Sequence, residues 1–240
     1  MDERGACLDS LGVVLARLRQ AQQRSTAPAL QERLRLLRAW QAQRLAAEYA
    51  DQRAMPRRRQ AVEFFLEDVY GARDFGDRDA QFSRAIHKLE ATLPLGALRA
   101  LRDAVELQAL TLELDLSVAE RLAPSAEALD AAGYGRAYRE TGRRVDRMRQ
   151  IDLAVDIGRR LEHLTALPAI ELVLRLAAAP ARLAGYGALQ AFIERGHAAF
   201  RRLGPEASAF LDAIEARERA FLERHAAADV APPLEASQHG

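Results

Sequence analysis

The sequence is short of lysine, cysteine and long apolar runs, and each shortage removes a class of function. Of its 35 basic side chains only Lys88 is a lysine. A Walker A loop needs Gly-Lys-Ser/Thr to set an ammonium on phosphates, and Lys88 follows His87, so there is no such loop. Cys7 is the single cysteine, which excludes an internal disulfide, a Cys-based zinc site and a CxxC pair, and makes a reducing cytoplasm the expected compartment. Neither sign of charge dominates: 35 basic against 34 acidic side chains give a formal net charge of +1, so neither nucleic acid nor an anionic membrane is an expected partner. The late uncharged run Leu183 to Ile193 is about half of the ~20 residues a spanning helix requires. The stretch Leu11 to Ala16 stops at Arg17, short of a signal-peptide core. HExxH and GxSxG are also missing, and Gly133-Tyr134-Gly135 and Gly185-Tyr186-Gly187 neither complete GxGxxG nor follow a strand.

What is present is helical patterning. With 49% hydrophobic and 29% charged residues in 240, the chain can bury a sizeable core. Apolar residues recur at helical spacing almost throughout. The expected architecture is all-α, a compact bundle of about eight or nine helices around two long central ones. One domain is expected over 1–227, with 228–240, which carries Pro232-Pro233, as a disordered tail. Ser25 and Thr26 are candidate N-caps for a helix opening at Pro28 and running to about Arg53. A helix after Pro56 is expected to end at Tyr70 with Gly71 beyond it. Another, capped by Asp74 and Asp77, carries Phe82, Ile86 and Leu89. Pro124 and Ser125 open a short one that Gly133 breaks. Pro168 and Pro180 bracket a short apolar helix over Ile170 to Ala177.

The two helices placed at the centre are Leu95–Leu122 and Tyr134–Leu164. Residues Thr111 to Val118 alternate apolar and polar like a strand, but two helical stripes run straight through them. Leu98, Leu101, Val105, Ala109, Leu112 and Leu116 form one stripe; Leu107, Leu110, Leu114 and Val118 form the other. Two apolar stripes call for cover on two sides. The polar residues between them, among them Glu106, Thr111, Glu113 and Asp115, then need partners, since an unsatisfied buried group costs about 1–3 kcal/mol.

The most distinctive stretch is Phe64-Phe65-Leu66-Glu67-Asp68-Val69-Tyr70-Gly71-Ala72-Arg73-Asp74-Phe75. It resembles the defining motif of an uncharacterised family of bacterial proteins with an FFLEELY-like signature. Ala137-Tyr138-Arg139, Gly142, Gln150-Ile151, Gly158 and Leu189-Gln190-Ala191-Phe192 extend the likeness, while Asp68 and Val69 depart from the commoner Glu and Leu. The resemblance implies an intact fold and a bacterial origin, and no activity.

On physical grounds Glu67 and Asp68 sit at a helix C-terminal end, where the dipole disfavours exposed carboxylates by about 0.3–1 kcal/mol each. An arginine is expected to offset this, with Arg73, Arg84, Arg139 and Arg143 as candidates. Glu67, Asp68, Tyr70, Arg73, Glu106, Tyr138 and Arg139 are the candidate polar network or ligand site. A structural lock is the favoured reading of that network. Glu194-Arg195-Gly196-His197 is one ExxH with no second to complete a di-metal site, so no metal and no cofactor is assigned. The function expected is a non-enzymatic cytoplasmic interaction or regulatory module that binds a protein partner or a second copy. The alternative is a small-ligand or metal-dependent activity in a carboxylate- and arginine-lined interior.

Overall fold

The computed structural model describes residues 2–69, 95–123, 128–165 and 167–226. Tyr70, Arg73, Arg84, the helix expected from Asp74 to Pro94, the opening at Pro124 and the tail 228–240 lie outside the described residues. Among the described residues the chain is helical with no strand.

Helix α1 (Glu3–Ser25) begins at Asp2, whose carboxylate accepts the Arg4 N–H. Ser25 and Thr26 do not start α2 (Pro28–Glu48). Their hydroxyls donate back to the Gln22 and Gln23 carbonyls and finish α1, while Pro28 supplies the preset first turn of α2. The chain pauses at Tyr49 and continues as α3 (Ala50–Ala54), so the expected helix to Arg53 is interrupted. Helix α4 (Arg59–Phe64) widens into a π-helical turn over Phe65–Val69, in the middle of the distinctive motif.

Helix α5 (Leu95–Ala119) passes through the alternating segment without a break. Helix α6 (Ala131–Glu140) starts three residues before the expected site, because Asp130 accepts the Gly133 N–H at 2.7 Å and makes Gly133 part of the first turn. The expected long helix from Tyr134 breaks instead after Thr141, where Gly142 takes φ +60°, and α7 (Arg144–Thr165) follows. Pro180 does not end α8 (Pro168–Leu183); it withholds the N–H that would bond to the Leu176 carbonyl, yet the helix continues to Leu183. Helix α9 (Gly187–Leu203), a short 3₁₀ turn at Gly204–Glu206 and α10 (Ala207–Ala226) complete the described order.

Both stripes of α5 are covered, which makes this compact bundle's centre. Leu98, Val105 and Ala109 pack on Cys7, Leu11, Val14, Leu15 and Leu18 of α1. Leu116, Val118 and Ala119 meet Leu34 and Leu37 of α2, Tyr134 and Tyr138 of α6 and Phe221 of α10. Leu110 and Leu114 close on Leu153 of α7. A neighbouring cluster joins Leu45 and Tyr49 to Val62, Phe200, Leu203, Phe210 and Leu211, with Phe64, Phe65 and Leu66 of the motif packed against it.

Candidate functional site

The motif is a docking surface for α9. Phe64 and Phe65 project into the second core, Phe64 lying 5.3 Å from Phe192 and Phe65 5.8 Å from Tyr49, centroid to centroid. Gly196 lets α9 come close: a Cβ there would stand 2.9 Å from Phe64 Cζ. One residue earlier, Arg195 closes on buried Asp68 with Nη2 2.6 Å from Oδ1 and Nε 3.1 Å from both carboxylate oxygens. The ExxH run that invited a metal therefore meets the motif through its glycine and its arginine. Among the described residues no group of three His, Cys, Asp or Glu side chains is placed to hold a metal ion.

A second polar arrangement lies where α2, α5, α6, α7 and α10 meet. Trp40 stacks on Tyr134 at 3.9 Å, and Tyr138 meets Phe221 edge-on at 5.7 Å. Two guanidiniums cover these rings: Arg147 stands 3.5 Å above Tyr138 and Arg44 4.0 Å above Phe221. Arg44 also donates to Glu218 at 3.3 Å, and the Tyr49 hydroxyl donates to the same carboxylate at 3.0 Å. Burial pushes the Tyr134 and Tyr138 hydroxyls above their ordinary range and His225 below its own.

The polar residues of α5 find partners inside the protein. Glu113 takes a two-pronged contact from Arg17 at 2.7 and 3.0 Å, and Glu106 one from Arg149 at 3.0 Å on each prong. Thr111 accepts from Gln150 at 2.8 Å. Asp115 is buried; it accepts from Gln41 at 3.2 Å and has Arg38 3.6 Å away. Burial raises its pKa despite the opposing pull of Arg38, Gln41 and Arg147.

One face behaves differently. On α8, Ile170, Leu174, Ala177, Ala178 and Ala181 turn inward, and the Gln190 amide on α9 donates to the Leu174 carbonyl. Leu172, Leu176 and Leu183 lie on the other side, 51, 68 and 90% exposed, with Ala179 between them. They follow a 4, 3, 4 spacing, that of a helix-pairing seam.

A family model for a domain of unknown function, DUF8198, matches residues 20–232. The chain belongs to that family. No curated protein and no solved structure matches it.

The DUF8198 match takes in the motif, the Glu194 to His197 run and the α8 face, and so attaches no activity to any of them. The sequence candidates separate into distinct places. Asp68 is held by Arg195 of α9, and Glu67 is on the exposed side of the π turn. Glu106 is held by Arg149, while Tyr138 and Arg139 belong to α6 beside α10. Of the arginines considered for the motif, Arg143 pairs with Asp146 at 2.6 Å, and Arg139 lies near enough to His225 to lower its pKa. Sequence reasoning missed Arg195, Arg44 and Arg147, because their partners come from distant helices. It also missed the α8 seam, by ending that helix at Pro180; the leucine spacing running through the proline was the available signal.

Proposed function

We propose that the protein is a non-enzymatic helical interaction module that takes a protein partner on the outer face of α8. The observation that carries this reading is the exposure of Leu172, Leu176 and Leu183 on a helix whose other side is already packed. Leaving three leucines of one seam in water forgoes hydrophobic stabilisation that a partner would recover, at about 25 cal/mol per Å² covered. The FFLEELY-like resemblance and the arginine-rich, lysine-poor composition support a bacterial setting, and the buried free thiol of Cys7 suits a cytoplasmic one. A ligand- or metal-dependent activity near Glu67, Glu106, Tyr138 and Arg139 is the weaker reading, because Arg149 already engages Glu106 and Arg147 already covers Tyr138.

Photo-crosslinking from position 176 in the full chain tests the module. A discrete protein adduct in cells is expected, lost in a Leu172→Ser/Leu183→Ser background that melts like the parent. An adduct that persists in that background, or none at all, rejects α8 as the interaction face. Native mass spectrometry showing a stoichiometric small molecule would favour the ligand reading instead.

A further inference from the structure

Resting on the reading of α8 as a docking face, we infer that its occupant is an amphipathic helix of another protein whose apolar seam is flanked by carboxylates. The seam Leu172, Leu176, Ala179 and Leu183 has the spacing of a helix-on-helix contact. Arg175 and Arg182 stand one heptad apart along one flank, both exposed, and neither makes an ion pair among the described residues. The acid on their own helix, Glu171, is taken by Arg201 of α9. The other flank carries Pro180 and Ala184 and no charge. The free surface is thus a leucine seam with a cationic edge, and its complement is a leucine-type seam with an anionic edge.

Pairing of α8 with α8 of a second copy does not supply that edge. Antiparallel self-pairing sets Arg175 and Arg182 of one copy against those of the other, and parallel pairing sets Arg175 beside Pro180 while α8 ends at Leu183 before it reaches a position opposite Arg182. An anionic membrane fits less well too. Interfacial helices carry many cations and aromatic anchors, whereas the outer face of α8 has two arginines and no aromatic residue.

The test uses the full chain and two designed 21-residue heptad peptides with leucine at a and d, one with glutamate and one with lysine at e and g. Fluorescence anisotropy at low salt should give about tenfold tighter binding of the glutamate peptide, the size expected when two attractive pairs replace two repulsive ones. Arg175→Glu/Arg182→Glu should reverse the preference, and Leu172→Ser/Leu176→Ser/Leu183→Ser should abolish both interactions, each with an unchanged circular dichroism spectrum. Equal binding of the two peptides overturns the acidic partner while leaving α8 as a docking face. Binding of neither peptide overturns both readings. Two results would name the replacement: a sedimentation dimer that Leu176→Ser dissolves indicates a second copy, and adsorption to phosphatidylglycerol-containing vesicles indicates a membrane.

Discussion

Helices α5 and α8 are built on the same plan, with apolar residues along two sides, but they end in different surroundings. Around α5 both sides are filled, by α1, α2, α6, α7 and α10. Around α8 the inner side meets α9 and the outer side meets water. The charges differ in the same sense. Glu106, Glu113 and Asp115 on α5 are each met by arginines of other helices, whereas Arg175 and Arg182 on α8 pair with no acid among the described residues. A doubly apolar helix thus specifies that it needs cover on two sides. It does not specify whether the same chain provides that cover.

The largest expected effect separates the two helices directly. Leu116 is fully buried, so Leu116→Ala should cost about 3 kcal/mol in urea unfolding, through lost transfer energy and the cavity left behind. Leu176, 68% exposed, should cost under about 0.5 kcal/mol as Leu176→Ala, although the same change should weaken partner capture. Comparable losses at the two positions would mean that α8 is as covered as α5. Next in size is the crossing of α7 and α10. A methyl group at Gly158 would overlap Leu211 Cδ2, so Gly158→Ala should destabilise by about 1–3 kcal/mol. Gly12→Ala on α1, where nothing lies within 4 Å of the new methyl, should instead stabilise by up to about 1 kcal/mol.

The contrast between α5 and α8 also shows how far the sequence could be read. Period and composition were enough for an all-α bundle and for the central place of α5, because two unbroken stripes over seven turns leave little choice. They located buried acids too, since a carboxylate set among leucines must have a partner. Partner identity was out of reach. Arg195 meets Asp68 beside the close approach of Gly196 to Phe64, and a contact across 127 residues of chain leaves no trace in local spacing. Helix ends failed for a related reason: Ser25 and Thr26 suit either end of a helix, and their hydroxyls chose the carbonyls behind them.

The Asp68–Arg195 pair is of intermediate size, and it ties α9, on which α8 rests, to the motif. Asp68 is buried but the Arg195 side chain is 53% exposed, so water screens part of the attraction. Asp68→Asn and Arg195→Met should each cost about 1–2 kcal/mol, and a double-mutant cycle should return a coupling of roughly 1 kcal/mol. A coupling near zero would mean that Phe64 and Gly196 alone set the docking of α9.

The last effect concerns what burial does to a charge on α5, and its sign distinguishes a buried acid from a merely paired one. Burial holds the Asp115 carboxyl above its unfolded value near 3.8, so the folded state binds this proton more tightly than the unfolded chain does. Below 3.8 the group is protonated in both states and costs nothing. As pH rises from there through the raised folded value, the unfolded chain gives up its proton first and Asp115 increasingly disfavours the fold. Asp115→Asn removes the titration while keeping an acceptor for Gln41. Melting curves between pH 4 and 8 should therefore show the variant gaining on the parent as pH rises, with the gap closing towards pH 4. The opposite slope would mean that Arg38 and Arg147 dominate, and that α5 carries a stabilising ion pair at its centre rather than a desolvated carboxyl held by an amide.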